Sequence, residues 1–239
     1  SDMNALYAQI EKLNPKDVRG YNKFLKFSNA VFKEGYEKMV DHPFQSIWSM
    51  VKVAPQLLLL QSFRSVYSMV SKYIKHPKLR QAFSYHTLLL GGSPYSSSAI
   101  YSLIHALEHK WGVWFAKGGT SALVAGLVKL YEDLGGTLHL NCAVQSIETN
   151  DNNEVVSIHN ENGERLEIAA VASNADIYHT YNELLSDNKT AQKKTKVLKR
   201  KKFSPSLFLL HFGLRREHPQ LAHHTILFGP RWKELLEDI

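Results

Sequence analysis

Apolar positions recur at helical spacing near the middle of this chain. Leu123, Leu127, Leu130 and Leu134 stand three or four apart, and Val124, Val128 and Tyr131 widen the same face. That pattern predicts an amphipathic helix. Gly119 and Thr120 suit its start, and Gly135 offers the positive φ that ends it. Around it, the stretch from Trp111 to Glu148 reads as an aromatic strand or loop, a tight Gly118-Gly119 turn, the helix, a Gly135-Gly136 stop and two short strands. A helix N-terminus and a sheet edge then belong to one unit, which is an arrangement able to hold a cofactor.

From Asn4 to about Tyr73 the pattern is helical. Asn14 can cap, Pro15 suits a first turn and Asp17 favours the positive end of the dipole, so a long helix is expected from Pro15 towards Val40. Its aromatic residues Tyr21, Phe24, Phe27, Phe32 and Tyr36 are best explained as core. Pro43, Pro55 and Pro77 are expected to divide the next stretch into short helices. One helix should run from about Lys78 to Leu89, and Ser93-Pro94 offers a cap and first-turn proline for its successor. That successor carries His105 and His109 near its end. The pair lacks a third ligand in sequence, and solvation or dipole pairing accounts for it, so no metal is assigned.

Beyond Gly136 the period changes. Leu138, Leu140, Ala143, Val144 and Ile147 sit in strand-like runs, and residues 154–159 with Asn162-Gly163 and residues 165–168 make a hairpin. Residues 169–173 read as a further short strand and Tyr178 to Leu185 as a helix. The apolar run Ser206 to Leu214 reads as a buried strand, Thr225 to Phe228 as another, and a last helix starts near Pro230. The fold class expected is α+β: residues 1–110 form a helical region, 111–180 a central α/β segment, and 181–239 the start of a second sheet region.

Composition adds limits. The 239 residues can bury a sizeable core, and a net charge of +7 permits attraction to nucleic acid or to an anionic membrane. The basic residues concentrate between Lys193 and Lys202 without the interleaved aromatics of a single-strand nucleic-acid platform, so membrane-surface contact is the preferred reading and nucleic acid is not. Cys142 is the one cysteine, which leaves no intrachain disulfide or thiolate cluster and fits a reducing, cytoplasmic compartment. No apolar run reaches the roughly 18 residues of a membrane span. The opening at Ser1 without an initiator methionine points to sequence upstream.

A dinucleotide-binding protein needs a glycine-rich strand-to-helix turn that lets the backbone approach a pyrophosphate. The chain contains no GxGxxG, and no P-loop, GxSxG or HExxH either. Yet KGGTSALVAGLVKLYEDLGG, the Ala143-Val144-Gln145-Ser146-Ile147 strand and Ala172-Ser173-Asn174-Ala175-Asp176 together resemble the middle of the bacterial and fungal phytoene desaturases. Those are FAD-dependent carotenoid desaturases of the amine-oxidase-like flavoprotein class. The resemblance extends to VFKEGYEKM, RSVYSMVSKYI, SLIHALEHKWGVWF, SLFLLHFGL and LAHHTILFGPRWKELL, in order along nearly the whole chain.

The resemblance implies FAD as cofactor, a carotenoid polyene as substrate, and a quinone or oxygen as electron acceptor. It implies a helical substrate- and membrane-facing region, the central part of a split FAD domain, and the start of the substrate-domain sheet. Val144 takes the place of the residue whose backbone meets the adenine. Gly118-Gly119 resembles the turn that approaches the flavin side, and Asn174 stands where it can help close the FAD side of the fold. Both glycine-rich FAD segments of that family lie outside these residues, so the expectation is an internal piece of a protein about twice as long, inactive alone. Tyr67, Tyr73, Phe83, Tyr85, Tyr95 and Trp114 are candidates to line an apolar channel. No residue stands out as acid or base. A diapophytoene or hydroxycarotenoid desaturase, a carotene isomerase, and a non-enzymatic lipid- or membrane-binding module are the alternatives.

Overall fold

A computed structural model describes residues 2–39, 41, 46–222 and 224–238. The chain forms two compact units, Ser1–Trp114 with Ser204–Ile239, and Phe115–Phe203.

The first unit is helical: α1 (Met3–Leu13), α2 (Lys16–Phe32), α3 (Ile47–Leu59), α4 (Val66–Tyr73), α5 (Pro77–Ser84) and α6 (Leu103–Trp111). The Asp2 carboxylate accepts from the Asn4 and Ala5 amides at 3.0 and 3.1 Å and so starts α1. Asn14 accepts from the Lys16 amide at 3.3 Å, and α2 then continues as a wide turn over Lys33–Glu37. Its expected end at Val40, and Pro43 beyond it, lie outside the described residues.

Tyr21 and Phe24 project from α2 into a core that holds Ile10, Val66, Val70, Ile74, Leu79 and Phe83. Two features of α2 set this packing. At Gly20 an added Cβ would lie 2.1 Å from the Tyr73 carbonyl oxygen, so only glycine allows α4 to come this close. Asp17, 1% exposed, accepts from the amides of Lys75 and His76 at 2.8 and 2.7 Å. These charge-assisted bonds pin the connection between α4 and α5 to the first turn of α2, a role beyond the dipole pairing read from sequence.

Three expectations change here. Pro55 lies inside α3 rather than dividing it, because the carbonyl it strands is on a helix with no buried residue and is left to water. Pro94 falls in a turn, and the next helix instead starts at Ser98, whose hydroxyl accepts from the Ile100 amide at 3.4 Å. His105 is buried rather than solvated. As expected, Pro77 opens α5, and α5 tightens through Tyr85–Leu90 to stop at Gly91.

The second unit contains α7 (Gly119–Asp133), β1 (Val144–Thr149), β2 (Val155–Asn160), β3 (Arg165–Glu167), α8 (Ile177–His179) running on as a wide turn over Thr180–Leu184, and α9 (Lys189–Leu198). The strands form an antiparallel sheet in the order β1-β2-β3, with Ile147 opposite Ile158 and Ile158 opposite Leu166. Ile147, Leu184 and Ala191 make its small buried core. Asn188 caps α9 and donates to Thr149 at 2.9 Å and Asn153 at 3.1 Å, tying that helix to the β1-β2 hairpin. A final helix, α10 (Trp232–Asp238), returns to the first unit. Helices with one small antiparallel sheet make the chain α+β, as read from sequence.

Four predicted strands do not form. Residues around Leu138 and Leu140, residues 169–173, residues 206–214 and the described residues 225–228 are irregular. A strand exists by pairing its amides and carbonyls, and no partner strand lies beside these runs among the described residues. The run predicted as buried is therefore exposed, with Leu207 at 82% and Phe208 at 89%.

Candidate functional site

Gly118 and Gly119 turn the chain into α7 with φ of 84° and 79°. Two successive left-handed residues suit glycine alone, and a Cβ on Gly118 would lie 3.0 Å from that of Ala122. Gly119 donates to the Ala116 carbonyl at 2.8 Å, which closes the turn. Among the described residues no side chain caps α7, so its first-turn amides are left to solvent or to a ligand. The helix has no buried residue, and Leu123, Leu127, Leu130 and Leu134 of its apolar face are all exposed.

Val144 opens β1, the strand at one edge of the sheet. Its neighbour Ala143 faces β2 with both backbone groups: the carbonyl accepts from the Glu161 amide at 2.9 Å and the amide donates to the Glu161 carboxylate at 3.1 Å. Successive residues of a strand point their backbone groups to opposite sides. Val144, paired with Asn160 across the ladder, therefore turns its own N–H and C=O to the open edge. Such an edge offers one donor and one acceptor side by side, the pattern that pairs with a flat heterocycle. A bulge between Val144 and Ser146 adds local twist there.

The turn and the strand belong to the same unit, joined through Gly135-Gly136 and an irregular stretch. No hydrogen bond among the described residues ties one to the other. Asn174 is exposed, and the cap of α8 is Asp176, which accepts from the Tyr178 and His179 amides at 2.8 and 3.2 Å. Below β1, Ile147, Val171, Ala175, Ile177 and Tyr181 line an open apolar depression.

Within the first unit, the Tyr21 hydroxyl stands 3.0 Å from His105 Nε2 and 2.6 Å from His109 Nε2. One phenol proton serves two imidazoles, so the hydroxyl donates to one ring and accepts from the other, and the two rings present opposite Nε2 states, one protonated and one bare. Burial, reinforced by His109 and then His86, lowers His105 from 6.5 to about 3, and burial lowers His109 as well. Burial first, then Tyr7, raises the phenol, so the group is neutral throughout. Near it His86 is lowered to about 4 by burial, and its Nε2 has no hydrogen-bond partner among the described residues. The helical spacing of His105 and His109 was visible in sequence; their meeting with a tyrosine 84 residues away was not.

Of the aromatic channel candidates, Phe83 is core, with its ring 4.9 Å from that of Tyr21. Tyr67 and Tyr95 pack at 4.5 Å, Tyr85 meets Phe228 at 6.0 Å, Tyr73 packs against Phe24 at 6.4 Å, and Trp114 is exposed. Burial, then Glu108, raises Tyr85 above its ordinary value, and burial raises Glu108 itself towards the protonated form. No cluster of three or more His, Cys, Asp and Glu side chains able to hold a metal occurs among the described residues. Nor is any described helix long and apolar enough to cross a membrane.

The family model for flavin containing amine oxidoreductases matches residues 4–236. The chain belongs to that family. FAD is the cofactor that goes with it. Over all 239 residues this flavoprotein chain is 54% identical to a lycopene-forming phytoene desaturase of Pantoea ananas and 51% identical to one of Pseudescherichia vulneris, covering 48% of each relative. It is also 48% identical to the lycopene-forming phytoene desaturase of a Paracoccus species. The chain spans about half the length of the curated relatives it matches.

Proposed function

We propose that the chain is part of an FAD-dependent phytoene desaturase that takes phytoene towards lycopene in carotenoid biosynthesis. What supports the reading is similarity along every residue to lycopene-forming desaturases, inside a flavoprotein family match. In this reading residues 1–110 serve the substrate and membrane side, residues 111–180 the centre of the FAD domain, and residues 181–239 the start of the substrate sheet.

The residues fit the cofactor. Among the described residues, Val144 turns its backbone donor and acceptor to the open sheet edge, where they are offered to the adenine. Gly118 and Gly119 keep a side-chain-free turn at the uncapped end of α7 for the flavin side. Bound FAD supplies the hydride acceptor for dehydrogenation. The chain's own work is to align the polyene and exclude water. A hydrocarbon gives no polar handle, so it is held by apolar burial at roughly 0.8 kcal/mol for each methylene. A quinone or oxygen then takes the electrons, and the protein meets a membrane surface, where phytoene dissolves, in a reducing compartment.

The test is expression of the complete gene in cells that accumulate phytoene. Lycopene in the extract supports the reading. Unchanged phytoene beside abundant, FAD-loaded protein overturns it.

A further inference from the structure

We propose that α3 and the turn after it, through Phe63, form the element that inserts into an anionic membrane surface. The proposal rests on the membrane-facing reading of residues 1–110 and names the residues and the lipid chemistry.

Helix α3 has no buried face. None of its 13 residues is buried, and Lys52 is its one charged residue. A helix packed against a protein core shows one apolar stripe and a charged back. Here Ile47, Trp48 and Val51 are exposed at one end, and Leu58, Leu59 and Phe63 at and beyond the other. Trp48 is 73% exposed, Leu59 82% and Phe63 72%. The helix is about 20 Å long, short of the roughly 30 Å needed to span a bilayer, so it suits lying in the interface. A tryptophan in its first turn is the residue type that settles at headgroup depth.

Charge points the same way. From Ser46 through Leu107 the chain contains no aspartate or glutamate, although the whole chain has 22. The same stretch carries Lys52, Arg64, Lys72, Lys75, Lys78 and Arg80. Lys52, Lys72, Lys75 and Lys78 are exposed. Lys72 is held beside the end of the apolar element, its ammonium 3.4 Å from the Gln61 side chain. The Ser98 hydroxyl donates to the Ser62 carbonyl and anchors the turn to the body of the unit. An apolar face within a basic, acid-free stretch matches a surface with an apolar interior and anionic headgroups. A polypeptide partner would need its own acidic rim to match this charge. The basic run Lys193–Lys202, preferred from sequence alone for membrane contact, carries Val197 as its exposed large apolar residue, and the exposed apolar residues from Phe203 to Leu214 that follow it lie in an irregular stretch rather than on a helix able to lie in the interface.

The complete gene product is tested by flotation with vesicles of phosphatidylcholine alone and with added phosphatidylglycerol, flavin absorbance being recorded for each variant. Lys52→Gln is expected to weaken partition onto the anionic vesicles by about fivefold. Trp48→Glu with Leu59→Glu is expected to lower it at least tenfold on both kinds of vesicle while bound flavin is unchanged. Partition that ignores lipid charge overturns the anionic part, and partition equal to wild type in the double variant overturns the insertion. Loss of flavin and aggregation in the double variant, with Lys52→Gln indifferent, shows that protein covers α3 and also overturns it. A wild-type protein that floats and responds to these substitutions but binds no flavin keeps this proposal and sinks the desaturase reading instead.

Discussion

Replacing Val144 by proline removes one backbone N–H, fixes φ and exchanges the isopropyl group for a ring. In most strands that change breaks a ladder bond. At Val144 the ladder is not involved, since Ala143 carries the bonds to Glu161 on the β2 side and the Val144 amide faces the open edge. Proline is tolerated on a sheet edge when its nitrogen faces away from the partner strand. The sheet should therefore survive, and the lost donor should register in FAD affinity. One hydrogen bond is worth roughly 0.5–1.5 kcal/mol net, which is about a 2- to 13-fold rise in Kd. Val144→Ala keeps the amide and trims the side chain, so its Kd should stay within about twofold of wild type. The assay is quenching of flavin fluorescence on titration into complete, deflavinated protein, with thermal unfolding of the apoprotein alongside. Equal affinity for wild type and the proline variant, at unchanged apoprotein stability, refutes adenine contact at this amide. An alanine variant as weak as the proline one shifts the contact to the side chain.

Gly20→Ala should destabilise the protein by about 1–3 kcal/mol despite alanine's helix preference of roughly 1 kcal/mol, because its Cβ would meet a backbone oxygen at 2.1 Å; a raised urea midpoint would contradict the close approach of α2 to α4. Tyr21→Phe deletes the hydroxyl that serves His105 and His109 and leaves buried ring nitrogens unpaired. A loss of about 1–3 kcal/mol is expected by chemical denaturation, and no loss would mean that water replaces the hydroxyl. Acid should also destabilise the fold. His105 and His86 have folded values near 3 and 4, below the ordinary 6.5, so the unfolded chain binds more protons between those limits. Their contribution is complete above about 6.5 and falls as pH drops towards 4; a denaturation midpoint flat across that window would show the histidines to be solvated.

Legibility in the sequence followed the range of the interactions. The helix Gly119–Asp133, the hairpin turning at Gly163 and the break between helices at Pro77 depend on residues a few positions apart, and pattern alone placed them. Strand Val144–Thr149 was also legible, but the direction of its first amide was not, because that depends on Glu161. The buried Asp17 and the Tyr21–His105–His109 group join helices 58 to 88 residues apart, and nothing local signals them. The apolar run at residues 206–214 shows the opposite failure. Its composition has strand character, yet a strand is a property of a pair, and its partner is absent from the described residues. Resemblance supplied what local pattern did not, namely the flavin, and with it the proposal that the open edge at Val144 meets adenine.

The proposed function is service to a flavin that oxidises phytoene. Its most direct test is anaerobic mixing of the complete, FAD-loaded gene product with phytoene in anionic vesicles, with the flavin absorbance followed in time. Bleaching of oxidised flavin that depends on phytoene, accompanied by new polyene absorbance, is the expected result. Flavin that stays oxidised beside vesicle-bound protein and unreacted phytoene would contradict it.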